Sequence, residues 1–336
     1  MATIRDVART SGVSTATVSA VINDSAYVSP ALRARVLAAI EDLGYAPSQS
    51  ARNLRRGRSQ LIALVVADLA NPFFARVVWA AEAAVAAWGY SMVIFNSDEK
   101  PEAEKRILSR IRMLACDGAV LVPVGDADHG VKRDVDGRPM PMVLFGRTVA
   151  DDASDTVTID NLSAGRQATN YLLDLGHQRI GSVTGPLQLS TGRGRLEGML
   201  AAMKARGLAP EPQHLRCGEF REDAAFSVAL NLLQQPAPPT ALYVANGVMA
   251  LGVMRAIADL GLRCPEDISI ASTDTIPGIG GLRPRLTRTE HPVVEMTNEA
   301  VRLLVDRISR GNGSETRNVV FQPSLVVGDS CAPYRA

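Results

Sequence analysis

The chain of 336 residues has no apolar N-terminal run of signal-peptide type and no uninterrupted apolar stretch long enough for a bilayer, which takes about eighteen residues or more. A membrane-spanning helix is therefore excluded, and a cytoplasmic protein is expected. Cysteine and histidine are scarce and scattered: Cys116, Cys217, Cys264 and Cys331, and His129, His177, His214 and His291, each stand alone. Neither zinc-ligand spacing nor a local nucleophile motif can be built from them, so no metal is expected and reduced, mostly buried thiols are the simpler reading. There is no Gly-Lys dipeptide for a P-loop. Gly192-Arg193-Gly194 is followed by Glu197 where a dinucleotide fingerprint needs its third glycine. Nucleotide chemistry, a resident cofactor and an enzymatic role are not expected.

Lysine is missing from the first sixty residues, yet these hold eight arginines against four acids, net +4, which leaves the remaining chain at net −3. An overall pI of 7.7 thus hides a basic head on a mildly acidic body. Such asymmetry suggests a nucleic-acid contact, although an ordinary solvated surface explains charge alone equally well.

Periodicity predicts three short helices in the head. Thr3 is positioned to cap the first, with Asp6 reaching back and Ile4, Val7 and Ala8 on one face. Gly12 suits a tight turn, and a second helix from about Ser14 turns Val18, Val21 and Ile22 inward before ending near Asn23-Asp24-Ser25. The third is bounded by Ser29 as cap, Pro30 at its first position and Gly44 just past its end, with Leu32, Val36, Ile40 and Leu43 as its buried stripe. A helix, a Gly-containing turn and a second helix make a helix-turn-helix, whose second helix offers Thr15 and Ala16 to base edges; a three-helix bundle without a ligand has the same periodicity. From Pro47 to Gln60 the chain turns polar and arginine-rich around Ala51 and Leu54, as a linker does. It is too short to be helical alone, since isolated helices need roughly 12 to 15 residues, so docking on DNA would have to fold it.

Beyond residue 60 the pattern becomes βαβα. Apolar runs of strand length fall at 61–66, 92–95, 118–122, 142–145, 180–184, 242–245 and 268–272, separated by helices ending at Gly176, Gly207 and Gly261. So long a body fits two doubly wound lobes better than one core. Ligands of such sheets bind outside the carboxyl ends of the strands. The residues following the runs are Phe73 and Phe74, Asp98, Arg147, Arg195, Asn246 and Asp274, with Phe220 at the start of another helix. Arg, Asp and Asn at the edge of a ring and aromatics against its face suit a hydroxylated ligand.

Ile4-Arg5-Asp6-Val7-Ala8, Gly12-Val13-Ser14, Thr17-Val18-Ser19, Val21-Ile22-Asn23 and Leu43-Gly44-Tyr45 resemble the head of the LacI/GalR (lactose-repressor) family. The resemblance continues through Asn71-Pro72-Phe73-Phe74, Asp160-Asn161, Gly176-His177, Asn246 with Ala250-Leu251-Gly252, and Asp274. It implies an α/β chain with an all-α helix-turn-helix head over 1–46, a hinge helix over 47–60, and a two-lobed, periplasmic-binding-protein-like body over 61–336. Lobe 1 would span about 61–160 plus 292–321, and lobe 2 about 161–289 plus 322–336. The implied DNA-binding set is Thr15, Ala16, Thr17, Ser19, Ala20, Asn23, Tyr27, Ser29, Arg52, Leu54 and Arg55, with Leu54 matching the leucine that wedges into the central base step; a contact between Leu54 and the body is the alternative.

In the body the resemblance makes Arg195, Asn246 and Asp274 ligands of sugar hydroxyls, Phe220 a stacking ring, Phe74 the opposite wall, and Asp160 a link from ligand to interface. Alternatives assign Asp160 and Asp274 to helix caps, Phe73 and Phe74 to the core and Arg193 to solvent, and leave Asp98 and Arg147 even. The implied protein is a homodimeric repressor on a near-palindromic operator, governed by a sugar or sugar acid between its lobes; no heptad tail precedes Ala336, so a dimer rather than a tetramer is expected. A secreted sugar-binding protein, which would share the body, and a dehydrogenase-like enzyme are the rivals. Two departures stand out: Ala20 lies where many relatives carry arginine, and Gly247 where an acid usually follows the asparagine, which predicts a lost cap or hydroxyl contact.

Overall fold

The computed structural model describes residues 2–45, 59–125, 140–150, 154–274, 283–310 and 315–335. The chain divides into two units, Met1–Ser59 and Gln60–Ala336. In the first, helices α1 (Ile4–Ser11), α2 (Thr15–Asn23) and α3 (Pro30–Asp42) enclose Val7, Ala8, Val18, Val21, Val36 and Ala39. The Thr3 hydroxyl accepts from the Asp6 amide while the Thr3 amide donates to Asp6 Oδ2, satisfying two amide donors at the start of α1. Gly12 ends α1 at φ +64°, where a Cβ would lie 2.6 Å from Arg35 Nη2; that guanidinium crosses from α3 to donate to the Ser11 carbonyl. Ser29 holds the N-cap position of α3 but its hydroxyl caps no amide, so the sign of that helix start is Pro30 alone.

Among the described residues the body contains two six-stranded sheets. In lobe 1 these are β1 (Leu61–Val66), β2 (Ser91–Asn96), β3 (Gly118–Leu121), β4 (Met142–Phe145), β5 (Asp155–Ile159) and, from near the C-terminus, β11 (Asn318–Phe321). Their order is β2-β1-β3-β4-β5-β11, all parallel. Helices α4 (Pro72–Ala87) and α10 (Val293–Arg310) supply the apolar side chains packed on one face, and α5 (Pro101–Met113) those on the other. Cover on both faces explains why Leu-Ile-Ala-Leu-Val-Val of β1 is apolar throughout rather than alternating.

Lobe 2 repeats the winding with β6 (Ile180–Thr184), β7 (Leu215–Cys217), β8 (Ala241–Val244), β9 (Ser269–Thr273), β10 (Thr287–Glu290) and β12 (Ser324–Val326), in the order β7-β6-β8-β9-β10-β12, where only β12 runs antiparallel. Its layers are α6 (Asn161–Asp174) with α7 (Ser190–Ala205), and α8 (Glu222–Leu233) with α9 (Gly247–Asp259). The chain therefore passes between lobes after β5, after β10 and between β11 and β12. Asp155, fully buried at the head of β5, fixes the returning segments to lobe 1: Arg307 of α10 pairs with both its oxygens at 2.9 and 2.7 Å, and the Arg317 amide and guanidinium add bonds at 2.7 and 3.0 Å. The carboxylate is held below its ordinary pKa by these donors, against the opposing pull of its burial.

Candidate functional site

Each sheet has its switch point where the first and third strands lie side by side, and there the loops from the carboxyl ends diverge and leave a crevice. One cleft, of about 540 Å³ including its mouth, is lined by Asn71, Phe73, Phe74, Glu99, Arg147, Thr191, Arg195, Phe220, Asn246, Asp274 and His291, with apolar backing from Val122, Phe145, Ile159 and Met296. Four of the chain's seven phenylalanines face it.

Lobe 2 supplies the densest polar wall. Arg195, on the first turns of α7, donates through Nε to Asn161 Oδ1 at 2.9 Å and through Nη1 to the Ala245 carbonyl at 2.6 Å. Burial pushes its pKa down, and Asp274 nearby offsets part of that. Asp274 follows β9 at φ +77°, a left-handed conformation that L residues rarely hold, with its amide donating to the Thr289 carbonyl. Its Oδ1 stands 3.5 Å from His291 Nδ1 and makes no hydrogen bond among the described residues. The His291 ring is pushed down to a pKa of about 4, chiefly by burial. It is neutral at pH 7 and meets Phe73 edge-on at 6.0 Å.

Lobe 1 supplies Arg147, gripped by Glu99 at 2.8 and 2.6 Å and donating to the Pro123 carbonyl at 3.0 Å. Its guanidinium lies 5.6 Å from the ring centre of Phe220, within cation–π range. Phe220 itself is buried in lobe 2 at φ +55°, and Gly185 makes room for it: a Cβ there would fall 2.1 Å from the ring. Phe73 and Phe74 meet edge to face at 5.1 Å, and Phe74 also belongs to the lobe 1 core.

The cleft thus brings together Phe73, Phe74, Arg147, Arg195, Phe220, Asn246 and Asp274. Asp98 and Asp160 are elsewhere. Asp98 sits at φ +53°, held down to a pKa of about 2 by Lys100 and Arg221, and it receives Arg221 of lobe 2 at 2.8 Å. Asp160 caps α6 by accepting from the Ser163 amide at 2.8 Å. No cap is lost at Gly247, because Asn246 caps α9 with its own side chain, accepting from Met249 at 2.8 Å. Phe220 does not begin a helix; α8 starts two residues later. Asn71, Glu99, Thr191 and His291 also line the cleft, and no local pattern in the sequence marks them as ligand candidates. His291 follows the strand Thr-Arg-Thr-Glu, whose polar pattern conceals it.

In the head, Thr15 and Ala16 are exposed at the start of α2, where Ser14 caps by accepting from the Thr17 amide. Thr17, Ser19, Ala20 and Ser29 are half-buried. Asn23 is turned back on its own helix, donating to the Ser19 carbonyl at 2.8 Å, whereas Tyr27 is 91% exposed. Arg52, Leu54 and Arg55 lie outside the described residues. Among the described residues no helix is long and apolar enough to cross a membrane.

Residues 3–48 match the family model for bacterial regulatory proteins of the lacI family, and 169–331 that for a periplasmic binding protein-like domain. The HTH-type transcriptional repressor PurR of Proteus mirabilis (strain HI4320) is 34% identical over 333 residues, covering 99% of this chain and 97% of the relative. The ribose operon repressor of Escherichia coli (strain K12) is 36% identical over 312 residues, covering 92% and 94%. Among solved structures, the lac repressor dimer bound to operator and the anti-inducer ONPF superposes with a TM-score of 0.86 at 28% identity, covering 98% of this chain and 99% of that one. The CelR–cellobiose complex gives 0.74 at 31% identity, covering 98% and 100%.

Proposed function

We propose, for a chain that belongs to the lacI family of bacterial regulatory proteins, a homodimeric cytoplasmic repressor whose operator affinity is set by a carbohydrate in the interlobe cleft. The observation that carries this reading is the cleft itself: Arg195 from α7 and Asn246 and Asp274 from the ends of β8 and β9 converge in lobe 2 and face Phe73 and Phe74 across the gap. Edge ligands opposite an apolar wall are what a hydroxylated ring requires. Effector binding shifts the lobes between two arrangements and so changes DNA affinity, by a coupling of roughly 1–3 kcal/mol, about 5- to 150-fold. Sugar binding without chemistry needs no nucleophile, and relatives named as transcriptional repressors support a regulator over an enzyme.

DNA reading is assigned to Thr15, Ala16, Thr17, Ser19, Ala20, Asn23, Tyr27 and Ser29 in the head and to Arg52, Leu54 and Arg55 in the hinge. Ala20 offers a methyl group where an arginine would read guanine, so the hinge leucine carries much of the discrimination by favouring a deformable central step. The test is fluorescence anisotropy on DNA from upstream of neighbouring genes, with a sugar panel added and turnover assayed in parallel. Asp274→Ala and Arg195→Ala are expected to keep operator affinity within about threefold while losing at least about tenfold in effector affinity, because each removes a buried partner of the ligand. Unchanged effector affinity in both variants would put the site elsewhere.

A further inference from the structure

Among the described residues, three buried polar atoms in the cleft find no hydrogen-bond partner: Asp274 Oδ1, His291 Nε2 and Thr191 Oγ1. Buried polar groups are nearly always satisfied, so three orphans around one cavity mark what an occupant must supply. A carboxylate only accepts. His291 points Nδ1 at that carboxylate from 3.5 Å, which favours the proton on Nδ1 and leaves Nε2 as a second acceptor. Thr191 can give or take. The wall therefore asks for O–H or N–H donors.

The charges of the cleft are already balanced. Glu99 closes on Arg147 with both oxygens, and the Arg195 guanidinium lies in the field of Asp274, two cations against two anions with His291 neutral. An anionic ligand would set three anions against two cations and turn its oxygens toward the acceptors Asp274 Oδ1 and His291 Nε2. The aromatic side chains make no flat slot either. Phe73 and Phe74 meet at 80°, and the Arg147 guanidinium stands over the Phe220 ring.

Resting on the cleft as the effector site, we infer that Thr191, His291 and Asp274 select a neutral polyhydroxylated ligand, and reject both its carboxylate or phosphate derivatives and planar bases. Hydroxyl groups can donate to Asp274 and His291 and pair with Thr191. Both sugar acids and purines lack that match, the first by charge and the second by shape.

Calorimetric titration of the full-length protein tests this with ribose, xylose, glucose, galactose and cellobiose, with ribonate, gluconate, ribose 5-phosphate and glucose 6-phosphate, and with hypoxanthine and guanine. A neutral sugar is expected to bind at least about 100-fold more tightly than its own anionic derivative, by the cost of burying an unpaired charge. Asp274→Asn should narrow that gap, because it removes the negative charge and offers an amide donor in place of a carboxylate. His291→Phe should weaken the neutral sugar while leaving the ratio to its anion nearly unchanged. Tighter binding of an acid, a phosphate or a base, or no binding by any neutral sugar, overturns the inference. If an anion or base binds and Arg195→Ala abolishes that binding, the cleft remains the effector site and only the ligand class is wrong; binding indifferent to Arg195 and Asp274 removes the site as well.

Discussion

The two lobes share one winding and differ in what they leave on their surfaces. In lobe 1 the exposed apolar side chains include both tryptophans of the chain, Trp79 at 70% and Trp88 at 55%, with Met113 at 78% and Leu69, Ile94 and Leu114 between 41 and 47%. Exposed ion pairs occur in both lobes, Arg302 with Glu299 and Asp306 in lobe 1 and Arg255 with Glu222 and Asp223 in lobe 2, and lobe 2 exposes no tryptophan but the smaller set Leu162, Leu187, Val327 and Tyr334. A duplicated topology thus differs in where its largest exposed apolar side chains stand, with both tryptophans on lobe 1. Large exposed apolar residues, tryptophan above all, are the usual anchors of protein interfaces. Lobe 1 is accordingly where a second copy of this chain is expected to dock, with β2 at the open edge of its sheet.

Breaking that face should have the largest effect. Trp79→Glu combined with Met113→Lys is expected to weaken self-association by about 30-fold or more, as loss of an interface anchor does. Leu187→Glu, an equally apolar exposed site in lobe 2, should leave self-association unchanged. Sedimentation velocity across a concentration series separates the two. Equal behaviour of the variants would erase the distinction between the lobes, and monomerisation by Leu187→Glu alone would reverse it.

Interior packing differs as well, and a smaller effect should expose it. In lobe 2, α6 and α7 approach so closely that a Cβ at Gly198 would lie 2.1 Å from the Leu162 carbonyl oxygen, and one at Gly165 would lie 2.0 Å from the Arg195 carbonyl oxygen. The second contact is at Arg195, which lines the cleft. Gly198→Ala is expected to cost about 1–3 kcal/mol by overpacking, read as a lower unfolding midpoint in denaturant. Since Gly198 lies one turn beyond Arg195 on α7, effector affinity should fall with it. A midpoint at or above that of the parent chain would show that the helices can separate without cost.

Strands buried on both faces were visible as apolar runs, which is why β1, β3, β4, β6, β8 and most of β9 were found from pattern alone. Strand β5, Asp-Thr-Val-Thr-Ile, opens on a buried carboxylate whose arginine partners lie more than 150 residues away, so no local signal announces it. Strands β10, β11 and β12 are short and polar or lie at sheet edges, and the same obscurity hid His291. Arg195 and Asp274 were legible because each sits just past an apolar strand or on the helix that follows one. Glu99 was not, because its role appears only once lobe 1 folds and brings it within 2.6 Å of Arg147.

The smallest expected effect concerns the join between the lobes. Arg221 stands just before α8 in lobe 2 and donates across the cleft mouth to Asp68 Oδ2 at 3.0 Å and to Asp98 Oδ1 at 2.8 Å, both in lobe 1. Asp98 and its neighbour Glu99 hold positive φ, as do Glu219 and Phe220 on the other side, so the two loops present these groups in conformations that cost free energy to keep. The pairing favours closure, but its arginine is 38% exposed and Asp98 42%, and ion pairs open to water contribute little. Asp155 with Arg307, whose side chains are 0 and 7% exposed, is the contrasting case within one lobe. Arg221→Ala should therefore weaken effector affinity by only about two- to fivefold, the range of an exposed pair. The parent chain in 0.5 M salt should lose a similar factor that the variant does not, since salt screens what the mutation has already removed. Calorimetry at low and high salt, with small-angle scattering to report the spread of the body, measures both. An affinity unchanged by Arg221→Ala, or a salt effect of equal size in the two proteins, would mean that closure is governed by the ligand wall alone.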